Sequence, residues 1–300
     1  MTEVREIATG LEFPEGPIAM PDGSVLLVEI KRGTLSRVSP NGDVEVVATP
    51  GGGPNGAAMG PDGRCYICNN GGFEWHQVGD KTYPGDQPSD YSGGRIEAVD
   101  LNTGSVELLY AECDGERLKG PNDIVFDRQG GFWFTDHGKN RPRDKDRTGV
   151  FYATADGQSI QEVIFPLEAP NGIGLSPDES KLYVAETPTG RLWAYDIEAP
   201  GKVTGSRTMM AQMPDFHMFD SLAVDAAGNI CVATLINGGI TIHSPDGQTA
   251  KFVPMEDRLT TNICFGGADL KTAFITLSST GKLVSCDWET PGLALNFLNK

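Results

Sequence analysis

No apolar run in this sequence approaches the roughly 20 residues a helix needs to cross a bilayer. Residues Met1 to Glu6 carry no basic segment leading into an apolar stretch, so no secretion signal is expected, and the expected location is cytoplasmic. Basic residues are scarce: 24 Lys and Arg stand against 41 Asp and Glu, a net charge of −17. That charge repels phosphate backbones, which argues against nucleic acid and anionic membrane as partners. A neutral small molecule or a cation suits it better. No H-E-x-x-H, G-x-S-x-G or P-loop motif occurs, so zincin, serine-hydrolase and nucleotide-binding chemistries have no support. No second pair accompanies the single C-x-x-C, Cys65 to Cys68, which lies in a strand-like run. Buried, reduced thiols are expected there rather than a redox or zinc site.

Glycine and proline are abundant, 38 and 20, and spread along the chain. They mark turn chemistry repeated many times rather than a linker. The repeat itself is visible when six segments are aligned. They are Glu15-Gly-Pro-Ile-Ala-Met-Pro-Asp-Gly23, Asn55 to Gly63, Asn122 to Gly130, Asn171-Gly-Ile-Gly-Leu-Ser-Pro-Asp-Glu179, Asp220 to Gly228 and Asn262 to Leu270. Each starts with a carboxylate or amide and runs through a short apolar strand to a turn of Pro-Asp-Gly type. A second strand follows each turn: 24–29, 64–69, 131–136, 181–186, 229–234 and 271–276. A third opens at Gly33, Gly94, Gly149, Gly190, Gly239 or Gly281, and a fourth follows, as at 43–48, 105–110 and 161–165.

Four antiparallel strands in each of six units of roughly 50 residues predict an all-β, six-bladed β-propeller filling residues 1–300 as one domain. A solenoid is the next reading, but four short strands per repeat favour a closed ring. The second unit carries an insertion, since its start and the next lie 67 residues apart against 40 to 49 elsewhere. Both Val4–Ala8 and Leu293–Leu298 compete to supply the strand that closes the ring.

In a propeller the first strand of each blade lines the channel. Symmetry then places Glu15, Asn55, Asn122, Asn171, Asp220 and Asn262 around one channel mouth. Two carboxylates and four amides converge there with no lysine or arginine among them. Paired buried carboxylates raise each other's pKa and destabilise the fold unless a cation joins them. An all-oxygen set suits a hard divalent ion, calcium, magnesium or manganese. The alternative, that each residue caps its own turn, is the ordinary fate of a single Asn or Asp. Six positions in one register, one of them a glutamate, favour the shared site.

The loops between second and third strands surround the same mouth. Two are long: 70–93, with Phe73, Trp75, His76, Tyr83 and Tyr91, and 137–148, with Lys139, Arg141, Arg143, Lys145 and Arg147. Trp75, His76 and His137 are expected substrate contacts. The second-strand ends Glu29, Asn69, Asp136, Glu186 and Thr234 are expected to line the pocket wall, with Glu186 a further substrate contact. The basic loop is expected to be a solvated surface.

The segments Phe13-Pro-Glu-Gly-Pro17, Gly120-Pro-Asn-Asp123, Pro170-Asn-Gly-Ile-Gly174, Phe219-Asp-Ser-Leu-Ala-Val-Asp225 and Thr261-Asn-Ile-Cys-Phe-Gly-Gly267 together resemble the gluconolactonase, regucalcin and luciferin-regenerating enzyme family. The resemblance spans nearly the whole chain. It implies a six-bladed propeller with one divalent metal held by Glu15, Asn171 and Asp220. It implies that Asn122 is either a fourth ligand or a substrate contact. Regucalcin-type members place an arginine two residues before that asparagine, whereas this chain has Gly120. Calcium is the favoured metal, with zinc, iron, manganese and magnesium compatible. The activity implied is metal-dependent opening of a lactone ring, with Asp220 as the catalytic base. A related esterase or phosphotriesterase chemistry, or metal binding without catalysis, is the alternative.

Overall fold

The computed structural model describes residues 3–213 and 215–300. Six four-stranded antiparallel sheets stand around one axis as the blades of a propeller. Their innermost strands are Pro14–Ala19, Pro54–Met59, Pro121–Phe126, Pro170–Leu175, Met218–Val224 and Thr260–Gly266. Each packs against the next, and the last packs against the first. The second strands, Val25–Glu29, Cys65–Asn69, Gly131–Asp136, Lys181–Glu186, Ile230–Leu235 and Thr272–Leu277, fall within a residue of the sequence expectation. The Pro-Asp-Gly turns are closed by their aspartates. Asp22 Oδ1, for instance, accepts the Ser24 amide at 3.0 Å and its hydroxyl at 2.6 Å.

The ring is closed by Val4–Ala8, which pairs antiparallel with Lys282–Asp287 as the outer strand of blade 6. Residues 293–298, the competing candidate, form no strand. They lie under the channel, where the Leu293 amide bonds to Val224 O at 3.0 Å. The core sits between neighbouring blades, as where Trp133, Leu182, Val184 and Trp193 meet. All six cysteines are free and buried in it. Burial pushes the Cys65 thiol up to about 12, which fits an inert core residue.

Every innermost strand carries a register irregularity at or beside its repeat-start residue. The shifts fall at 15–18, 54–57, 121–124, 170–173, 219–222 and 260–262. Such bulges re-aim side chains out of the alternating pattern. Here they occur six times at one level of the channel. They also bring neighbouring strands very close. A Cβ on Gly172 would meet Asp220 O and Leu222 N at 2.7 Å, both backbone. Gly172→Ala is therefore expected to destabilise the protein by about 3 kcal/mol, the upper range for overpacking. The denaturant midpoint measures it, and an unchanged midpoint would contradict this packing.

Candidate metal centre at the channel mouth

Glu15, Asn55, Asn122, Asn171 and Asn262 are buried, and Asp220 is half-buried. Glu15 Oε2 accepts the Asn262 amide at 2.7 Å, from the neighbouring blade, and the Gly16 amide at 2.8 Å. Ser221 Oγ donates to Asn171 Oδ1 at 3.5 Å, and Asn171 Nδ2 donates to Thr187 Oγ1 at 3.1 Å. Thr135 Oγ1 donates to Asn171 O at 2.6 Å and accepts the Asp123 amide at 3.1 Å, tying blade 3 to blade 4.

The electrostatics are those of crowded acid groups. Burial raises the Glu15 pKa against the bonds it receives. Burial first, then the Glu15 charge and Asp123, push Asp220 well above the usual carboxylate range. Asp123 is buried and is pushed to about 8 by desolvation and by Glu15. This third carboxylate was absent from the sequence expectation. Its signal was there, in Gly120-Pro-Asn-Asp123, where the other blades carry Gly, Ser or Ile after the repeat-start residue.

Two observations bear on whether a cation fits. Asn122 Oδ1 is buried with no hydrogen-bond partner among the described residues. A buried acceptor in that state is costly unless something supplies positive charge. Glu15 and Asp220 are raised chiefly by burial, and Asp220 also by the Glu15 charge, so added positive charge would favour their ionised forms. Among the described residues no three His, Cys, Asp or Glu side chains are grouped as metal ligands, so a site here would use amide as well as carboxylate oxygen. Below this level the channel widens into a cavity of about 110 Å³, with Asp123 and Asn262 among its lining residues. Leu293–Asn296 line the same cavity.

The remaining expected contacts divide. Trp75 is half-buried and its ring lies 5.1 Å from that of Phe13, two residues before Glu15. His76 is exposed on the hairpin formed by Trp75–Val78 and Lys81–Pro84. His137 is half-buried with Nδ1 unpartnered. Burial, then nearby Lys139, lower its pKa to about 4, so it is neutral at physiological pH.

Glu186 and its counterparts do not form an open wall. They are buried, and the polar atoms of Glu29, Asn69, Asp136 and Glu186 secure the loops that feed the innermost strands. Glu186 accepts Glu168 N at 2.9 Å and Thr189 Oγ1 at 2.8 Å. Glu29 accepts Glu12 N at 2.7 Å, and Asn69 Oδ1 accepts Gly53 N at 2.9 Å. Asp136 accepts Lys119 N and Gly120 N, both at 2.7 Å. Thr234 Oγ1 pairs with Thr241 Oγ1 at 2.7 Å. A buried polar group must be hydrogen-bonded, and the loop backbone satisfies the first four, while Thr234 finds Thr241 Oγ1 and Val232 O. The basic loop is solvated as expected at Arg143, Lys145 and Arg147, which are exposed, and departs from expectation at Lys139. Arg141 bonds Asp146 at 2.7 Å and also pairs with Asp144, Lys145 pairs with Glu168, and Lys139 is buried.

Residues 13–279 match the sequence model of the SMP-30/Gluconolactonase/LRE-like region. A gluconolactonase of Zymomonas mobilis is 27% identical over 308 aligned positions, which cover 92% of this chain and 79% of that protein. A diisopropyl-fluorophosphatase of Loligo vulgaris is 31% identical over 202 positions, covering 62% of this chain and 63% of that one. Among solved structures, regucalcin of Agrobacterium tumefaciens, described as a calcium-binding protein, aligns with a TM-score of 0.79 at 20% identity. The alignment covers 100% of this chain and 98% of that one. At that identity the likeness speaks to the fold.

Proposed function

We propose that this chain, which belongs to the SMP-30/Gluconolactonase/LRE-like family, is a lactonase that opens a small lactone ring with the help of one divalent cation. The observation that carries the reading is the set of bulged innermost strands. It is supported by the closeness of Asp220 to Glu15 and Asn171, by the raised carboxylates, and by the buried Asn122 Oδ1 without a hydrogen-bond partner among the described residues. The gluconolactonase similarity over most of both chains supports the same chemistry.

Glu15, Asn171 and Asp220 would hold the cation, with Asn122 as the fourth oxygen donor or the first substrate contact. Calcium suits the set best, and magnesium, manganese, zinc and iron are accepted alternatives. When bound, the cation supplies Lewis-acid polarisation of a carbonyl and lowers the pKa of a coordinated water. Asp220 would take the proton of the attacking water. The amide groups of Asn122 and Asn171 hold the developing oxyanion in place. The small-molecule substrate is neutral, in keeping with a net charge of −17.

A panel of aldonolactones, alkyl lactones and organophosphate triesters, run with and without chelator, tests the reading. Hydrolysis of a lactone that stops on chelation is expected. Turnover of triesters alone would favour the second reading, a phosphotriesterase, which the 31% identical fluorophosphatase keeps open. Cation binding with no turnover of any panel member would leave a non-catalytic binding propeller.

A further inference from the structure

We propose that Lys139 is a positioning residue: its buried side chain pins the blade 2 roof to the blade 3 loop and so holds an aromatic wall, Phe13, Trp75 and Phe73, against the alkyl substituent of a lactone. The substituent part rests on the lactonase reading; the pin stands on geometry alone.

Lys139 is only 2% exposed. Its Nζ donates to Asn70 Oδ1 at 3.0 Å and to Gly72 O at 2.6 Å. The ammonium lies 3.8 Å from the Phe73 ring centroid and 5.7 Å from that of Tyr91. These bonds run to carbonyl oxygens and ring faces. A buried ammonium is costly unless every proton has a partner, and each of the three finds one in loop 70–93. A lysine spent this way organises backbone rather than neutralising an acid.

The segment it holds crosses half of the mouth. On the blade 3 side, Gln87 N donates to Asn140 O at 2.9 Å, and Arg141 Nη1 donates to Gln87 Oε1 at 3.2 Å. On the far side, Thr82 N donates to Ser279 O of blade 6 at 2.9 Å. Between these anchors the Phe73 and Trp75 rings sit 6.0 Å apart edge to face, and Trp75 rests on Phe13. An unbroken line of contacts therefore runs from Lys139 to Phe13, beside Glu15. The wall is apolar: buried Phe13 forms its base, and the half-buried Phe73 and Trp75 rings supply the face that meets a ligand. That chemistry recognises an alkyl chain rather than the hydroxyls of a sugar lactone.

The test uses Lys139→Met and Phe73→Leu in the cation-loaded full chain, with a long-chain γ-alkyl lactone against unsubstituted γ-butyrolactone. Both variants are expected to raise KM for the alkyl lactone about ten-fold, with kcat and the butyrolactone KM within about two-fold. Two readouts need no turnover. Trp133, Trp193 and Trp288 are at most 8% exposed, so acrylamide quenching reports chiefly on Trp75. Quenching is expected to rise in both variants, and amide exchange to quicken across 73–87 while the six sheets keep wild-type rates. Unchanged quenching and exchange would overturn the pin. An equal rise in KM for both lactones would overturn the alkyl wall. If the wild type opens no lactone the lactonase reading fails, and quenching and exchange still decide the pin. Should Lys139→Met slow or lose folding, seen as faster exchange in all six sheets, Phe73→Leu alone decides both points by the same measurements.

Discussion

Replacing Asp220 by asparagine is expected to lower kcat/KM for the best lactone by about 10³-fold or more while the protein unfolds no earlier than the wild type. The size follows from what the carboxylate does. In the proposed site it would supply half of the negative charge among the four donors and the base that takes a proton from water. Losing one preorganised electrostatic group in a closed site commonly costs 10²- to 10³-fold, and here the base goes with it. The stability expectation runs opposite to intuition. Asp220 is strained toward its neutral form by burial and by Glu15, so the amide relieves a repulsion. Asparagine has nearly the same shape and can keep the contact with Asn171. In protein stripped of cations, the variant should therefore match or exceed the wild type in thermal unfolding. Near-normal turnover would remove Asp220 from the chemistry. Lost turnover together with a collapsed unfolding temperature would mean the substitution broke the fold instead.

Asp123→Asn should show a stability gain that depends on pH. Asp123 is pushed to about 8 in the folded protein, against about 3.9 in an unfolded chain. Between those values the unfolded state ionises and the folded state does not. The folded state then binds more protons, so each rise in pH costs stability. The direction is that of a raised acid: stability is fully present below the unfolded pKa and declines up to the folded one. In chelated protein, the advantage of Asp123→Asn over wild type should grow between pH 5 and pH 8 by up to about 1.4 kcal/mol per pH unit. His137 and Lys139 also titrate abnormally, at about 4 and about 7, and drop out of the difference, whereas Asp220, raised in part by Asp123, is eased by the substitution and adds to the gain. Added calcium should shrink the gap, because a cation near Glu15 favours the ionised Asp123. A gap that is flat across pH would mean Asp123 ionises as an ordinary surface acid.

The architecture was legible because each blade repeats the same turn chemistry, and the turn fixes where its two strands begin. The position of the six repeat-start residues on the innermost strands was legible for the same reason. What the bulge does was not. It turns a second position toward the axis, so Asp123 joins the acid cluster although a regular strand would face it away. The role of the second-strand ends stays hidden because a loop's unpaired amides cannot be seen in a sequence. Glu186 reads as a polar residue at a pocket rim until Glu168 N is found bonded to it. Lys139 is hidden for a related reason. It sits in a run of arginines and lysines that pair at the surface, and only its meeting with loop 70–93 buries it. The closing strand lay between two apolar segments. Hydrogen bonding decided it, since Val4–Ala8 meets the open edge of blade 6, whereas residues 293–298 meet the end of the channel.

The central proposal is that Glu15, Asn171 and Asp220, with Asn122 as a fourth donor or substrate contact, make one cation site at the channel mouth. Elemental analysis of the purified chain, after dialysis against metal-free buffer and titration with calcium, tests it most directly. One divalent ion per chain is expected for the wild type, and none for a Glu15→Gln, Asp220→Asn double variant that retains its sheet signal. A wild type that holds no ion under those conditions, or a double variant that holds as much as the wild type, would contradict it.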